Sequence, residues 1–248
     1  MTRAMCAAVF LCVFVSCAIG FAACAIIAPV ESDLPVLQTM SGRADWSYVL
    51  VKPKDPGKPA PLLLVLHGYD GDARSMAHLW SVQREMNRAY ILAPQAPPKE
   101  RNGKTVSTWE AGTDDAFLHT LLDMVSRENK TIGAQSAIAG YSAGASMAMH
   151  MAMKNPGRFA ACAAIGGGVG MSESVDPGFT HYLLLAGEKD VAFDPKKATR
   201  LHDRIHELGG QADVEIVKGV DHTTLYGRIE QGAKWLAQEM GLLFVMDE

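Results

Sequence analysis

Cysteine is nearly missing from the body of this sequence. Four of the five cysteines lie within residues 1–30, which leaves Cys162 as the only thiol in residues 31–248. A single thiol has no partner in its own chain, so no internal disulfide can form downstream of residue 30. Cys162 lies in the apolar run "FAACAAIGGG" and is expected to be an inert core residue.

The sequence also lacks a block of positive charge. Its formal net charge is −4, and its Lys and Arg residues are not clustered. Binding to a phosphate backbone requires a basic surface, so we expect no nucleic-acid partner. The chain has neither a repeat of fixed period nor a second linker. With 248 residues and a 48% hydrophobic composition, it is expected to form one globular domain.

The first 30 residues contain the longest apolar run. Arg3 is followed by residues 4–30 without a single charge, and Glu31 then opens a polar stretch. A short basic start, a long apolar stretch and a small-residue end predict an export signal in residues 1–30, with an uncleaved membrane anchor as the alternative. Such a segment directs the protein to the periplasm, to the cell surface as a lipoprotein, or out of the cell. Attachment to the membrane through this segment stays open.

Two cysteines in this run are candidates for lipidation. "FAAC", which ends at Cys24, is similar to the lipobox of bacterial lipoproteins, and "FVSC", which ends at Cys17, is a rival. The alternative is that these cysteines are only small apolar residues of a hydrophobic segment. Residues 31–43 are expected to form a polar tether, and residues 44–248 the folded domain.

Short apolar runs alternate with helical segments along the rest of the chain. "LLLVLHG", "AYILAP", "SAIAG", "FAACAAIG" and "HYLLLAG" are too short for helices and predict strands that are buried on both faces, whereas "WSYVLVKP" predicts an exposed-edge strand. Five segments, from "ARSMAHLWSVQREMNR" to "YGRIEQGAKWLAQEMG", have apolar residues at helical spacing. This succession predicts an α/β fold, a mostly parallel central sheet with helices on both faces. No insertion is long enough for a large cap domain.

The most informative stretch is "AGYSAGASMAM", residues 139–149. Its Gly-Tyr-Ser-Ala-Gly sequence at residues 140–144 follows a predicted buried strand and precedes a predicted helix. A nucleophile elbow needs this order, because a strained turn presents the serine hydroxyl and the glycines let strand and helix pack closely. The helix N-terminus also supplies partial positive charge for an oxyanion. We therefore predict that Ser142 is a nucleophile. The alternative is a structural strand-to-helix turn.

A serine nucleophile requires a base. Five histidines follow Ser142, and four of them fall on predicted helices or at the start of a strand. His222 instead lies in the polar loop "KGVDHTTLYG", directly after the last predicted strand. Because a loop at this edge of the sheet can bring an imidazole over the serine, His222 is the predicted base.

The base in turn needs an acid to orient it. The loop after "HYLLLAG" offers Glu188, Asp190 and Asp194. Asp190 lies a few residues past the strand, where a short turn can aim it at the imidazole. Asp194 precedes Pro195 and has the sequence of a helix N-cap. We predict Asp190 as the acid, with Asp194 as the alternative.

Two backbone N–H groups are required to bind the oxyanion. The residue after the nucleophile supplies one, which is Ala143, and the loop after the first central strand supplies the other. In "LLLVLHGYDGDARS" the second donor is predicted to be Tyr69, and Gly68 lets the backbone approach the substrate. His67 is expected to hold this loop through a side-chain hydrogen bond.

Several ordered motifs together resemble the α/β-hydrolase superfamily. "LLLVLHGYDGDA", "APQAPP", "DDAFLHTLLDMV", "AGYSAGASMA", "LLLAGEKD" and "VKGVDH" are similar to its branch of polyhydroxybutyrate depolymerases, feruloyl esterases and phospholipase/carboxylesterases. The resemblance runs from about residue 46 to the C-terminus. It implies an α/β-hydrolase fold and hydrolysis of small or oligomeric carboxylic esters through an acyl-enzyme on Ser142, without metal or organic cofactor. Secreted members of the branch usually carry disulfides near the site, which this chain cannot form.

The connection "APQAPPKERNGKTVSTWEAG", residues 93–112, is long and is expected to overhang the site. The resemblance implies that Trp109 lines the acyl pocket; the alternative is that it only packs this loop onto the domain. Without a cap the pocket is expected to be shallow and open.

The sequence leaves two alternative functions: a serine peptidase or acyltransferase on the same fold, and a non-catalytic binding protein.

Overall fold

A computed structural model describes residues 34–170 and 176–242 of the chain. These residues contain ten strands: β1 (Gln38–Met40), β2 (Arg43–Val51), β3 (Leu62–Leu66), β4 (Tyr90–Gln95), β5 (Pro98–Arg101), β6 (Lys104–Ser107), β7 (Ala137–Tyr141), β8 (Ala161–Ile165), β9 (His181–Gly187) and β10 (Gln211–Val217). Eight of them form one sheet in the order β1-β2-β4-β3-β7-β8-β9-β10, and β5 and β6 form a separate hairpin. The strands from β4 to β10 in this order are parallel. Strand β2 is antiparallel to both of its neighbours, β1 and β4.

Helices cover both faces of this sheet. They are α1 (Ala73–Ser81), α2 (Asp115–Glu128), α3 (Ala143–Lys154), α4 (Pro195–Glu207), α5 (His222–Leu225) and α6 (Ile229–Glu239). Apolar side chains of α2, α3 and α4 share one core with one face of the sheet. Those of α1 and α6 share a second core with the opposite face. The predicted mostly parallel sheet between two helical layers is confirmed.

Strand β3 illustrates why these strands read as unbroken apolar runs. Leu62, Leu64 and Leu66 belong to the core on the α3 side. Leu63 and Val65, which alternate with them, belong to the core on the α1 side. Successive side chains of a strand point to opposite faces, so a strand covered on both faces needs an apolar residue at every position.

The topology brings four loops to one edge of the sheet. The parallel strands β3, β7, β9 and β10 all end there, and each is followed by a loop that carries a predicted site residue. In open α/β sheets ligands bind at the carboxyl ends of the strands, because the helices leave a crevice there. Residues that are 154 positions apart in the sequence, such as Gly68 and His222, can therefore share one site.

Two predicted helices are shorter in the structure than in the sequence pattern. The helix predicted over residues 73–88 ends at Ser81, and a 3₁₀ turn, Met86–Arg88, follows. Val82, the first residue after α1, is 56% exposed, so adding it to the helix would bury little further apolar surface. The last predicted helix likewise begins with a 3₁₀ turn at Tyr226–Arg228, before α6.

The structure describes part of the predicted tether but none of the predicted export signal. Strand β1 lies within the predicted tether and occupies the edge of the sheet. The prediction of "WSYVLVKP" as the edge strand is therefore wrong, because β2 pairs with β1 on one side and with β4 on the other. The predicted export signal in residues 1–30, with Cys17 and Cys24, lies outside the described residues and stays a prediction. Among the residues that are described, no helix has the length and apolar character needed to cross a membrane.

Candidate active site

Ser142 occupies a sharp turn between β7 and α3. Its backbone has φ 55° and ψ −119°, a conformation that non-glycine residues rarely adopt. The glycines on either side leave no space for side chains. A Cβ on Gly140 would lie 2.1 Å from the carbonyl oxygen of Gly144, and a Cβ on Gly144 would lie 2.2 Å from that of Leu66. The turn is therefore tight because backbone packs directly on backbone.

Replacing Gly140 with alanine should destabilise the fold, because the new methyl group would collide with backbone atoms that cannot move separately. We expect the free energy of unfolding to fall by about 3 kcal/mol. Gly133→Ala is the matched control, since a Cβ at Gly133 would meet no atom within 4 Å. Urea titration of both variants measures the difference. Equal stability of the two variants would contradict the packing described here.

The structure brings Ser142, His222 and Asp190 into one hydrogen-bonded chain. His222 Nε2 lies 2.9 Å from Ser142 Oγ. On the other side of the ring, His222 Nδ1 lies 2.7 Å from Asp190 Oδ2. The carboxylate can only accept, so Nδ1 carries the proton and Nε2 presents its lone pair to the serine hydroxyl. This is the arrangement that general-base activation of a hydroxyl requires.

Asp190 is held rigidly behind the imidazole. Its side chain is fully buried. Oδ1 accepts hydrogen bonds from the backbone N–H groups of Ala192 and Phe193, at 2.9 and 2.8 Å. These two donors leave Oδ2 for His222 and fix the direction in which the carboxylate faces.

The other two carboxylates of this loop have different partners. Asp194 caps α4 by accepting a hydrogen bond from the N–H of Lys196, the N-cap role that its sequence indicates. Glu188 accepts a hydrogen bond from the N–H of Gly219 at 2.8 Å. Glu188 therefore ties the loop after β9 to the loop after β10, which leads into α5, whose first residue is His222.

Tyr141, the residue before Ser142, contacts His222 directly. Its hydroxyl donates a hydrogen bond of 2.7 Å to the His222 carbonyl oxygen. The two rings also pack together, with centroids 5.2 Å apart. Burial raises the pKa of the Tyr141 hydroxyl to about 12, so the group stays protonated and able to donate. The sequence gives no direct signal for this contact, because Tyr141 ends β7 and His222 begins α5, 81 residues later.

The loop after β3 approaches Ser142 with its backbone. A Cβ on Gly68 would lie 3.4 Å from Ser142 Cβ and 3.0 Å from the Tyr141 ring, so the position has little room for a side chain. The Gly68 carbonyl oxygen lies 2.7 Å from His67 Nδ1 and accepts from the N–H of Gly71 at 3.1 Å. In a trans peptide the N–H points opposite to the carbonyl, so these contacts turn the Tyr69 N–H away from His67.

His67 is buried and neutral in this arrangement. Its Nε2 accepts a hydrogen bond from the N–H of Ala96 at 3.0 Å, so Nδ1 carries the proton that Gly68 accepts. Burial lowers the pKa of His67, which favours this neutral form. His67 thus makes the loop-holding hydrogen bond that the sequence analysis expects of it.

Gln95, at the end of β4, was not predicted and also holds this loop. Its Oε1 accepts from the N–H of Ala73 at 2.8 Å, and its Nε2 donates to the carbonyl of Gly71 at 3.1 Å and to Ser107 Oγ. The available signal was a polar residue that ends the buried run "AYILAPQ". Such a residue at the carboxyl end of a parallel strand belongs to the edge where sites are built.

A cavity of about 320 Å³ lies next to Ser142. Its walls include Ala143, the residue after the serine, and Trp109 from the long connection between β4 and α2. Trp109 is only 8% exposed, and its indole N–H donates to the carbonyl of His67 at 2.9 Å. Trp109 therefore both packs the connection onto the domain and borders the cavity, so the two alternatives for this residue are compatible.

Cys162 and the other histidines that follow Ser142 in the sequence do not contact the Ser142–His222–Asp190 chain. The thiol of Cys162 is buried in the sheet, which raises its pKa. The other histidines after Ser142 have their own partners: His150 with Asp115, His181 with Glu239, His202 with Asp203, and His206 with the carbonyl of Ala212. Within the two described ranges, no group of three or more His, Cys, Asp or Glu residues could hold a metal ion.

Solved structures of esterases share this fold. A carboxylesterase from Bacillus cereus superposes with a TM-score of 0.65 at 18% identity, covering 79% of this chain and 95% of its own. The esterase PE8 gives 0.62 at 20% identity, covering 76% and 96%. An S-formylglutathione hydrolase from Agrobacterium tumefaciens gives 0.63 at 15% identity, covering 83% and 94%. At such identities the similarity shows the fold alone.

The family is shown by the sequence itself. No curated protein matches the chain as a relative. The model of the Esterase family, described as "Putative esterase", matches residues 45–240, which is most of the chain. This range contains both cores except Leu242, and every loop at the carboxyl edge of the sheet. The chain therefore belongs to this esterase family and is a carboxylic-ester hydrolase of the α/β-hydrolase superfamily.

Proposed function

We propose that this esterase works through an acyl-enzyme formed on Ser142, with His222 as general base and acid and Asp190 as the group that orients it. The observation that carries the proposal is the hydrogen-bonded chain from Asp190 through His222 to Ser142, with lengths of 2.7 and 2.9 Å. The backbone N–H groups of Ala143 and Tyr69 form the oxyanion hole. The substrate is a small or oligomeric carboxylic ester.

In the acylation step, His222 Nε2 takes the proton of the Ser142 hydroxyl while Oγ bonds to the ester carbonyl carbon. The negative charge that develops on the carbonyl oxygen is stabilised by the N–H groups of Ala143 and Tyr69. Ala143 is the first residue of α3, where the N–H groups lack helical partners and the helix dipole favours negative charge. The imidazolium then protonates the leaving alcohol as its bond to carbon breaks.

Deacylation reverses these roles with water in place of the alcohol. His222 takes a proton from the water molecule as its oxygen attacks the acyl carbon, and the proton returns to Ser142 Oγ when the acyl bond breaks. Asp190 stays ionised and stabilises the imidazolium in both steps. His67, Gln95 and Tyr141 position the two loops and do not exchange protons with the substrate.

An esterase is distinguished from a peptidase on the same fold by its leaving groups. We expect rapid hydrolysis of p-nitrophenyl acetate and butyrate and no measurable hydrolysis of the p-nitroanilides of amino acids. The two sets release chromophores of similar absorbance, so one spectrophotometric assay compares them. Faster cleavage of the anilides would replace the esterase proposal with a peptidase. Acyl transfer to added alcohols, if it outpaced hydrolysis, would indicate an acyltransferase.

We further propose that residues 1–30 export the protein and that residues 44–248 act as the catalytic domain beyond the inner membrane. The proposal is supported by the charge-free run of residues 4–30. Mass spectrometry of the protein purified from its host should find a mature N-terminus within or just after this run. A diacylated Cys24 would define a lipoprotein, and an intact Met1 would contradict cleavage.

A further inference from the structure

One face of α3 forms a wall of the cavity next to Ser142. Ala143, Ser146, Met147 and His150 line it, and their spacing of three and four residues places them on the same side of the helix. Each four-residue step advances about 6 Å along the helix axis. Ser146 and His150 therefore lie about one and two turns beyond Ser142, and both carry polar atoms.

His150 is held in place by Asp115 from α2. Its Nε2 lies 3.0 and 2.9 Å from the two carboxylate oxygens of Asp115. Asp115 also accepts a hydrogen bond from the N–H of Gly112 at 2.9 Å. Because the carboxylate accepts, Nε2 of His150 carries the proton, and Nδ1 is left as an acceptor. His150 is only 7% exposed, yet it borders the cavity.

Two hydrogen-bonding positions on this wall, one on His150 and one on Ser146, have no partner among the described residues. Among the described residues, no side chain or backbone group donates to Nδ1 of His150. Ser146 Oγ accepts a hydrogen bond from the N–H of Gly168 at 3.2 Å, and its own hydroxyl proton has no acceptor in the same part of the chain. The cavity thus offers a donor at Ser146 and an acceptor at His150, between apolar walls.

The cavity lies on the acyl side of the proposed reaction centre. His222 must protonate the leaving alcohol, so the alcohol lies beside His222. His222 packs near Gly166 and Tyr141, and no residue of α5 lines the cavity. Ala143, the proposed oxyanion donor, does line it. The acyl chain therefore extends from the carbonyl carbon into the cavity, along α3.

We propose that this cavity selects acyl groups that carry a neutral hydroxyl about one helical turn beyond the ester carbonyl. The inference rests on the proposed role of Ser142 and adds a substrate class to it. A hydroxyl both accepts and donates, so it can accept from Ser146 and donate to His150 Nδ1. An alkyl chain of the same length would leave both groups without partners.

The charge of the wall favours a hydroxyl over a carboxylate. The Asp115 carboxylate lies at hydrogen-bonding distance from His150, and among the described residues no Lys or Arg lines the cavity. A substrate carboxylate would face this negative charge at close range and would also lose its hydration. A neutral hydroxyl meets neither penalty.

The test compares three ethyl esters that differ only at the end of a six-carbon acyl chain: hexanoate, 6-hydroxyhexanoate and the monoester of adipate. We expect the wild-type enzyme to have a kcat/KM about tenfold higher for 6-hydroxyhexanoate than for hexanoate, and to process adipate least well. Ser146→Ala and His150→Leu should each reduce this tenfold preference for the hydroxy ester over hexanoate to about twofold or less.

Ser126→Ala on the exposed side of α2 is the matched control and should retain the wild-type preference. An equal or higher kcat/KM for hexanoate in the wild type would overturn the proposal, as would a preference that survives in both Ser146→Ala and His150→Leu. Preference for adipate would also overturn it. These failures differ from failure of the proposed function, in which none of the three esters would be hydrolysed through Ser142.

Discussion

Replacing Ser142 with alanine should lower ester turnover by about 10⁴- to 10⁶-fold. The variant keeps the Cβ and loses only the oxygen that lies 2.9 Å from His222 Nε2. Without Oγ the variant has no atom that can be acylated, so an acyl-enzyme cannot form. The residual rate comes from the oxyanion donors and from binding. Initial rates on p-nitrophenyl butyrate measure the loss.

Two further measurements make this result specific. A fluorophosphonate probe, which reacts with activated serine hydroxyls, should label the wild type and leave Ser142→Ala unlabelled. Ser126→Ala, an exposed serine on α2, should keep both its rate and its labelling. The same thermal transition in all three proteins would show that the loss is chemical. Substantial hydrolysis by Ser142→Ala would remove this residue from the mechanism.

The sequence predicts the fold well because each strand and helix has a local cause. The run "LLLVLHG" indicates a strand covered on both faces, and β3 has cores on both sides. The turn around Ser142 was predictable for the same reason. Its strained backbone and the crowding of Gly140 by Gly144 are properties of consecutive residues, whereas Gly144 is crowded by Leu66 of β3.

The parts that the sequence analysis missed depend on distant residues or on a local signal that was not used. The hairpin β5–β6 turns at Asn102 and Gly103, with φ values of 52° and 73°. Asn-Gly between short extended segments is a strong hairpin signal, so this element was predictable. The pairing of His150 with Asp115 was not, because the helices that carry them meet only through the packing of the whole domain.

The hydrogen-bond partners of Asp190 and Asp194 explain why Asp190 is the one that contacts His222. Asp190 and Asp194 both follow β9, and their sequence positions alone allow either to reach His222. In the structure Asp194 accepts a hydrogen bond from a backbone N–H of the helix that it caps. Two backbone N–H groups instead orient Asp190 towards His222. The helix-capping role of Asp194 therefore distinguishes the two candidates better than their distance from β9 along the chain.

Replacing Asp190 with asparagine should lower kcat by about 10⁴-fold, even though the two side chains have the same shape. The N–H groups of Ala192 and Phe193 both point at Oδ1, so the amide oxygen must stay there and the NH₂ group must face His222. Nδ1 then has to accept, which moves the ring proton to Nε2. An imidazole protonated at Nε2 cannot take the proton of Ser142.

This loss should appear in kcat with little change in KM, because the buried Asp190 side chain does not reach the substrate. Asp194→Asn is the matched control: asparagine caps helices as well as aspartate, so both stability and activity should be retained. Steady-state kinetics on p-nitrophenyl butyrate compare the three proteins. A loss in Asp194→Asn with an active Asp190→Asn would reverse the assignment, because the carboxylate that fixes the His222 tautomer would then be the one at residue 194.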